Sequence, residues 1–197
     1  MAKYILVGEV HGTNECPEAC LKILEKYKIK HLALEGDKSM SSNDGRASKA
    51  VKRLVAAAKR KGIKIHFAEE KSDAEMNILK RDKTMAENLI KIKKDVVFLC
   101  GNVHACKKPF QMPLLFRIFC RIKKITIPKN NILDTCGSYL PKNKTISYRV
   151  VAKNGGKFNN NGIKTEGPSK KLPLGIIKSP EESYDFYYVV DRFTPSD

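Results

Sequence analysis

Two histidines of the chain each stand three residues after a glycine, at the end of an apolar run. His11 follows Gly8 in "KYILVGEVHG", and His104 follows Gly101 in "DVVFLCGNVH". A neutral imidazole titrates near neutral pH and can serve as a general base or a metal ligand. Glycine lets the backbone turn tightly and leaves room for a ligand. The two motifs therefore predict a paired-histidine site. The alternative is a pair of core imidazoles bonded to backbone groups.

Carboxylates follow the same kind of apolar run. Glu9 comes directly after the first run, and Glu35 and Asp37 stand at the end of "HLALEGD". The run "IKIHFAEE" adds three weaker candidates, His66, Glu69 and Glu70. A buried carboxylate needs a partner. Glu35 therefore predicts a cation nearby, unless it is a solvated loop residue.

That cation is expected from a helix predicted over residues 72–93. One face of this helix, set by spacings of three and four, holds Ile78, Arg81, Met85, Asn88 and Leu89. An arginine on such an inward, mostly apolar face usually pairs with a carboxylate. We therefore expect Arg81 to bind Glu35 or Glu9. The alternative is an ion pair with a purely structural role.

Strand and helix patterns alternate over the first two thirds of the chain, and this alternation would position the polar residues. Between four apolar runs, helices are predicted over residues 17–27, 46–61 and 72–93. This order predicts a parallel sheet, and its nearly all-apolar strands indicate helices on both faces. The predicted fold is α/β, with a three-layer, mostly parallel central sheet flanked by helices. Ligands bind beyond the carboxyl ends of such strands, where the polar residues gather.

The pattern changes towards the C-terminus. "TISYRVVAK" and "SYDFYYVVDRF" predict strands in an antiparallel C-terminal extension, separated by a flexible surface loop over about residues 153–172. Before them, "PFQMPLLFRIFCRIKK" predicts an amphipathic helix whose stripe we expect to pack in the core rather than on a membrane surface. The stripe consists of Leu114, Leu115, Ile118, Phe119 and Ile122. We interpret residues 1–197 as a single α/β domain.

The six cysteines have no metal-binding spacing, and we expect free thiols. Cys20 shares a helical face with apolar residues and is expected in the core. Cys16 precedes Pro17 at a predicted helix N-terminus, a place that can lower the pKa of a thiol.

The net charge of +17 comes mostly from lysines, since only eight of the 38 basic residues are arginines. Arginine is the residue that reads phosphates and bases bidentately. We therefore expect a solvated basic surface and no specific nucleic-acid partner. The alternatives are a weak nucleic-acid contact or attraction for an anionic substrate. No apolar run approaches a membrane span, and the N-terminus predicts a first strand rather than a signal peptide. We expect a cytoplasmic protein.

The motifs together resemble a known superfamily. "GEVHG" after the first strand, the acid that ends "LALEGD", "RDKTMAENL" on a helix and "GNVH" after a later strand are similar to the erythromycin esterase-like, ChaN, TraB and TIKI superfamily. The erythromycin esterase-like branch is the closest, because an Arg-acid-x-x-Met-Ala-Glu-Asn helix is typical of it. The resemblance extends from residue 3 to about residue 107, with a weaker one in "YDFYYVVDRFTPS" near the end.

The resemblance implies an active site made of Glu9, His11, Glu35, Arg81 and His104. In the esterase-like branch a histidine activates water for attack on an ester without a required metal. In the TIKI branch the paired histidines and an acid hold a divalent metal for peptide cleavage. ChaN-like members bind haem. This chain is shorter than the macrolide esterases and lacks their extra helical segments, which argues against a macrolide substrate.

These observations favour a hydrolase that acts on an ester or amide bond of a small molecule or peptide. His11 or His104 would activate water and Arg81 would stabilise the oxyanion. In a metal-dependent form, a set drawn from Glu9, His11, Glu35 and His104 would suit zinc or manganese. A non-catalytic protein that binds haem or an anionic small molecule is the second hypothesis, and nucleic-acid association through the lysines is the third.

Overall fold

The structure is a computed structural model. It describes residues 2–36, 47–69, 78–122, 126–153, 157–159, 162–164 and 172–196.

The strands alternate with helices along the first half of the chain, as the sequence predicts. The strands are β1 (Tyr4–Glu9), β2 (His31–Leu34), β3 (Lys64–Phe67), β4 (Val96–Gly101), β5 (Phe110–Gln111), β6 (Ile132–Leu133), β7 (Thr145–Ala152), β8 (Lys157–Asn159), β9 (Gly162–Lys164), β10 (Gly175–Lys178) and β11 (Phe186–Val190). The α-helices are α1 (Glu15–Tyr27), α2 (Lys49–Arg60), α3 (Ile78–Lys91), α4 (Asn102–Ala105), α5 (Leu114–Ile122) and α6 (Cys136–Tyr139). The segment before Ile78 in the third predicted helix lies outside the described residues.

A seven-stranded sheet in the order β10-β11-β7-β1-β4-β2-β3 forms the centre of the protein. All neighbours are parallel except β10 and β11, which are antiparallel. The predicted α/β fold with a mostly parallel sheet and an antiparallel pair at the C-terminal end is confirmed. The antiparallel element is the β10–β11 pair, while β7 and β11 themselves run parallel to β1.

Helices cover both faces of this sheet. Alternate residues of β1 pack on opposite sides: Ile5 belongs to the core that includes Ile23 of α1 and Leu54 of α2. Leu6 belongs to the core that includes Met85 of α3. Every residue of β1 and β4 is buried, as expected for central strands between two helical layers.

Four of the five residues in the apolar stripe of α5 are exposed and do not pack in the core, so the prediction is wrong for these four; the side chain of the fifth, Phe119, is outside the described part of the structure. Leu114, Leu115, Ile118 and Ile122 are 62%, 80%, 44% and 72% exposed. The helix instead buries the face that carries Cys120, which packs with residues from the flanking segments. Among the described residues, no helix is both long enough and apolar enough to cross a membrane.

The predicted loop over residues 153–172 lies largely outside the described residues. The parts of it that are described pair as a small antiparallel hairpin of β8 and β9.

Candidate active site

The candidate site lies at the carboxyl ends of the three neighbouring strands β1, β4 and β2. Glu9, the last residue of β1, is in register with Gly101, the last residue of β4. Glu35 follows β2 directly, and its backbone N–H donates to the carbonyl of Leu99 (3.0 Å). Because parallel strands end at one edge of the sheet, residues distant in sequence meet there.

His11 is held by Glu9. Its Nδ1 lies 2.8 Å from Glu9 Oε1, and the carboxylate is 8% exposed whereas the imidazole is 63% exposed. The hydrogen bond to Glu9 raises the pKa of His11 to about 9, and the charge of Glu35 adds to this effect. Partial desolvation of the ring by the neighbouring site residues and the charge of Arg81 act in the opposite direction. His11 is therefore protonated at neutral pH, with Nε2–H directed away from Glu9.

His104 is held by a second carboxylate, Asp82. The short helix α4 follows β4 and carries His104, whose Nδ1 lies 2.8 Å from Asp82 Oδ1. Asp82 is on α3 and 1% exposed, and the backbone N–H of Cys136 donates to the same oxygen (2.6 Å). Burial lowers the pKa of His104, but the hydrogen bond to Asp82 and the charge of Glu35 outweigh it, and the net shift is upward.

Arg81 bridges two further carboxylates. Its Nη2 donates to Glu35 Oε1 (2.6 Å) and to Glu69 Oε1 (2.5 Å), and its Nε also donates to Glu69 (2.9 Å). The predicted pairing with Glu35 is confirmed, and Glu9 is occupied by His11 instead. Burial raises the pKa of Glu35, but the charges of His104, His11 and Arg81 lower it further than burial raises it. Glu35 is therefore ionised at neutral pH.

The two imidazoles converge on Glu35. His104 Nε2 lies 3.4 Å from Glu35 Oε1, and His11 Nε2 lies 3.9 Å from Glu35 Oε2. Gly101 fixes this carboxylate, because its backbone N–H donates to Oε2 (2.6 Å). Arg81 Nη1 completes the cluster at 3.4 Å from His104 Nε2.

The glycines of the two Gly-x-x-His motifs have a steric role. A Cβ on Gly101 would lie 3.0 Å from His11 Nε2 and 3.4 Å from a carbon of the His104 ring. A Cβ on Gly8 would lie 2.9 Å from the side-chain oxygen of Asn102. The absence of a side chain at Gly101 therefore lets both imidazoles approach Glu35. The absence of a side chain at Gly8 lets α4 pack against β1.

The cluster combines four carboxylates, Glu9, Glu35, Glu69 and Asp82, with three basic groups, His11, Arg81 and His104. It borders a cavity of about 160 Å³, whose apolar wall includes Leu34, Val51 and Leu99. Such a cavity holds a small group next to His11, Glu35 and Arg81, which line it.

The described side chains do not fit a metal centre. Among them, no group of three or more His, Cys, Asp and Glu side chains is placed to hold a metal ion. The guanidinium of Arg81 already lies between Glu35 and His104, where a cation would contact both. The predicted ligands Glu9, His11, Glu35 and His104 are therefore already bonded to charged side chains of the cluster. The cavity beside these described residues, about 160 Å³, is also smaller than the roughly 300–1,000 Å³ of sites for drug-sized ligands.

The structure brings together all five residues that the sequence predicts: Glu9, His11, Glu35, Arg81 and His104. The imidazoles bond to carboxylates rather than to backbone groups, and His11 is exposed, so the core-histidine alternative is wrong.

Asp82 was missed, although it stands next to Arg81 in the quoted "RDKTMAEN" motif. Glu69, a weaker candidate, does join the cluster through Arg81. His66 instead bonds to His31 (2.9 Å) on the neighbouring strand β2. Asp37 and Glu70 lie outside the described residues.

Cys16 has none of the properties of a nucleophile. The thiol is fully buried, and burial raises its pKa. Its sulfur accepts the backbone N–H of Val10 (3.4 Å).

The fold and the cluster define an α/β protein with two carboxylate–imidazole pairs at the carboxyl edge of a parallel sheet. No protein-family model matches the chain, and neither a curated protein nor a solved structure does.

Proposed function

We propose that the protein is a hydrolase that activates water to cleave an ester or amide bond, as its resemblance to the erythromycin esterase-like and TIKI proteins implies. One observation carries the proposal. His11 and His104 are each oriented by a separate buried carboxylate, and the Nε2 atoms of both face Glu35. An imidazole whose Nδ1 is held by a carboxylate, so that its Nε2 can exchange a proton, is the arrangement that general base catalysis uses.

His104 is the base in this proposal. Its bond to Asp82 fixes the tautomer that carries the proton on Nδ1 and leaves the lone pair on Nε2. In the neutral state Nε2 accepts from Arg81 Nη1, and in the protonated state it donates to Glu35; both partners lie at 3.4 Å. The same site therefore accommodates the imidazole before and after it takes a proton from water.

His11 and Arg81 stabilise the oxyanion. With Nδ1–H bound by Glu9, a protonated His11 presents Nε2–H to the cavity. Within the part of the chain that the structure describes, Nη1 of Arg81 makes only the long contact with His104, whereas Nη2 is occupied by carboxylates. Two such donors, held in place before the reaction, favour the negative charge that develops on a carbonyl oxygen during attack by water.

The charge of the cluster restricts the substrate. Four carboxylates outnumber the three basic groups even when both imidazoles are protonated. A neutral ester or amide therefore suits the site better than the anionic substrate that the overall charge of +17 favours.

The test is hydrolysis of p-nitrophenyl acetate by the parent, His11→Ala and His104→Ala, with His66→Ala as the matched control. His66 is a histidine that bonds outside the cluster. We expect each site variant to lose about 10²- to 10⁴-fold in kcat/KM while it remains folded at the assay temperature. Its melting temperature should fall moderately, because Glu9 or Asp82 loses its imidazole partner. His66→Ala should hydrolyse like the parent. Site variants that hydrolyse as fast as the parent would refute the proposal.

Two further measurements separate the alternatives. Metal content by plasma mass spectrometry, on protein purified without a tag, should be below one equivalent, and a chelator should leave hydrolysis unchanged. A Soret band on haem titration that disappears in His11→Ala or His104→Ala would favour the haem-binding hypothesis instead.

A further inference from the structure

The edge of the sheet opposite the candidate site is strongly basic. Helices α1, α2 and α3 end there, and the segments that follow them lead into β2, β3 and β4. We call this surface the basic edge; its eleven exposed basic residues are Lys3, Lys26, Lys28, Lys30, Lys59, Arg60, Lys61, Lys64, Lys91, Lys93 and Lys94. Eleven of the chain's 38 basic residues thus lie at this edge, ten of them in three short segments and Lys3 before β1.

The helix ends explain only a part of this charge. Cations in the last turn of a helix interact favourably with its dipole, and Lys26, Lys59, Arg60 and Lys91 are placed to do so. The effect falls off within that turn. The other lysines of the basic edge lie beyond it.

Carboxylates do not neutralise the surface either. The same three segments hold only two acids, Glu25 and Asp95. Glu25 pairs with Lys61 (3.0 Å), and Asp95 accepts the backbone N–H of Lys3 (2.8 Å). Burial lowers the pKa of His31 beside these lysines, and the charges of Lys64 and Lys94 lower it further.

The basic edge is also concave. A cavity of about 420 Å³ opens between the segment before β2 and the segment before β4, and Lys28, Lys30, Lys93 and Lys94 line it. Its polar wall includes His31 and Asp95. A concave surface lined by one sign of charge concentrates counter-ions and attracts a polyanion.

The composition of the basic edge identifies the polyanion. Its apolar residues Ile29 and Ile63 are 5% and 6% exposed, and Ile90, in the last turn of α3, is 43% exposed, so the surface offers little apolar area for insertion into a lipid layer. Ten of its eleven cations are lysines, which act as point charges on phosphates, and Arg60 is the exception. We propose that the basic edge binds the phosphate backbone of nucleic acid without sequence specificity, at a site separate from the proposed hydrolytic one.

Fluorescence anisotropy tests this with a fluorescein-labelled single strand of about 20 nucleotides, titrated at several salt concentrations. The test variant combines Lys28→Gln, Lys93→Gln and Lys94→Gln. The control variant combines Lys83→Gln, Lys129→Gln and Lys178→Gln, which removes equal charge from exposed lysines elsewhere. We expect the test variant to bind about tenfold or more weakly, with a slope of log Kd against log salt smaller by about 2.

The control variant should bind within about twofold of the parent at every salt concentration. Equal weakening of the two variants would overturn the proposal, because it would indicate diffuse attraction to the net charge. Failure of the parent to bind the strand would also overturn it. So would lysine-dependent binding to phosphatidylserine-containing vesicles without binding to the strand, which would assign the basic edge to a membrane surface.

Discussion

Arg81→Ala should destabilise the protein markedly, because Arg81 is the cation that two largely buried carboxylates share. The side chains of Glu35 and Glu69 are 11% and 13% exposed, and Arg81 itself is 31% exposed. Removal of one partner from a fully buried ion pair costs about 3–5 kcal/mol, since it leaves an uncompensated charge. Two features reduce this figure here: Arg81 is partly solvated, and Glu35 keeps the N–H of Gly101 (2.6 Å).

We therefore expect a loss of about 2–3 kcal/mol in the free energy of unfolding. For a chain of this size, that loss corresponds to a fall of about 4–12 °C in melting temperature. Differential scanning calorimetry and urea unfolding measure the two quantities independently.

Arg192→Ala is the matched control, since Arg192 is 67% exposed and pairs with the exposed Asp191. Its melting temperature should stay within about 2 °C of the parent's. Arg81→Ala should also reduce ester hydrolysis, because Glu35 loses its cation and the oxyanion loses a donor. If Arg81→Ala had the same melting temperature as the parent, the guanidinium of Arg81 would have to lie in solvent in the parent, and the reasoning would be refuted.

Three further outcomes follow from the same geometry. Asp82→Asn should reduce kcat about 10²- to 10⁴-fold with little change in KM, because an amide would favour the wrong tautomer of His104; an unchanged kcat would mean that Asp82 does not orient the base. Glu9 holds the pKa of His11 at about 9, above its ordinary value of 6.5, so the pair stabilises the fold fully below pH 6.5 and loses this contribution as the pH rises through about 9. Urea unfolding should show this loss of unfolding free energy in the parent and not in Glu9→Gln. An equal pH dependence of the unfolding free energy in the two proteins would contradict the prediction. Cys16→Ser should leave kcat/KM unchanged, because the thiol is buried and its pKa is raised. Loss of hydrolysis in Cys16→Ser at an unchanged melting temperature would show that the thiol takes part in the reaction.

The sequence predicts the parallel sheet and the five central site residues because both depend on local patterns. Buried central strands such as β1 and β4 read as continuous apolar runs. Chemistry-bearing residues directly after such runs must meet at one edge of a parallel sheet. Arg81 was also predictable, because a lone arginine on an apolar helical face requires a carboxylate.

Other features depend on contacts that no local pattern specifies. Asp82 lies one residue beyond Arg81, about 100° around the helix, and its role follows only from the approach of α3 to α4 and α6. The direction of β7 and β11 depends on pairing across the whole sheet. The stripe of α5 looks like a core face, but burial depends on which neighbours reach it, and they reach the Cys120 side instead.

The pH dependence of kcat/KM for p-nitrophenyl acetate, compared between the parent and His11→Gln, tests the central claim most directly. The parent rate should rise as His104 loses its proton, with a pKa above the ordinary 6.5. It should then fall near pH 9 as His11 loses the proton that it donates to the oxyanion. His11→Gln should be slower and should keep the rising limb without the fall near pH 9. A fall near pH 9 that persists in His11→Gln, or a rate that rises alike with hydroxide in both proteins, would contradict the account.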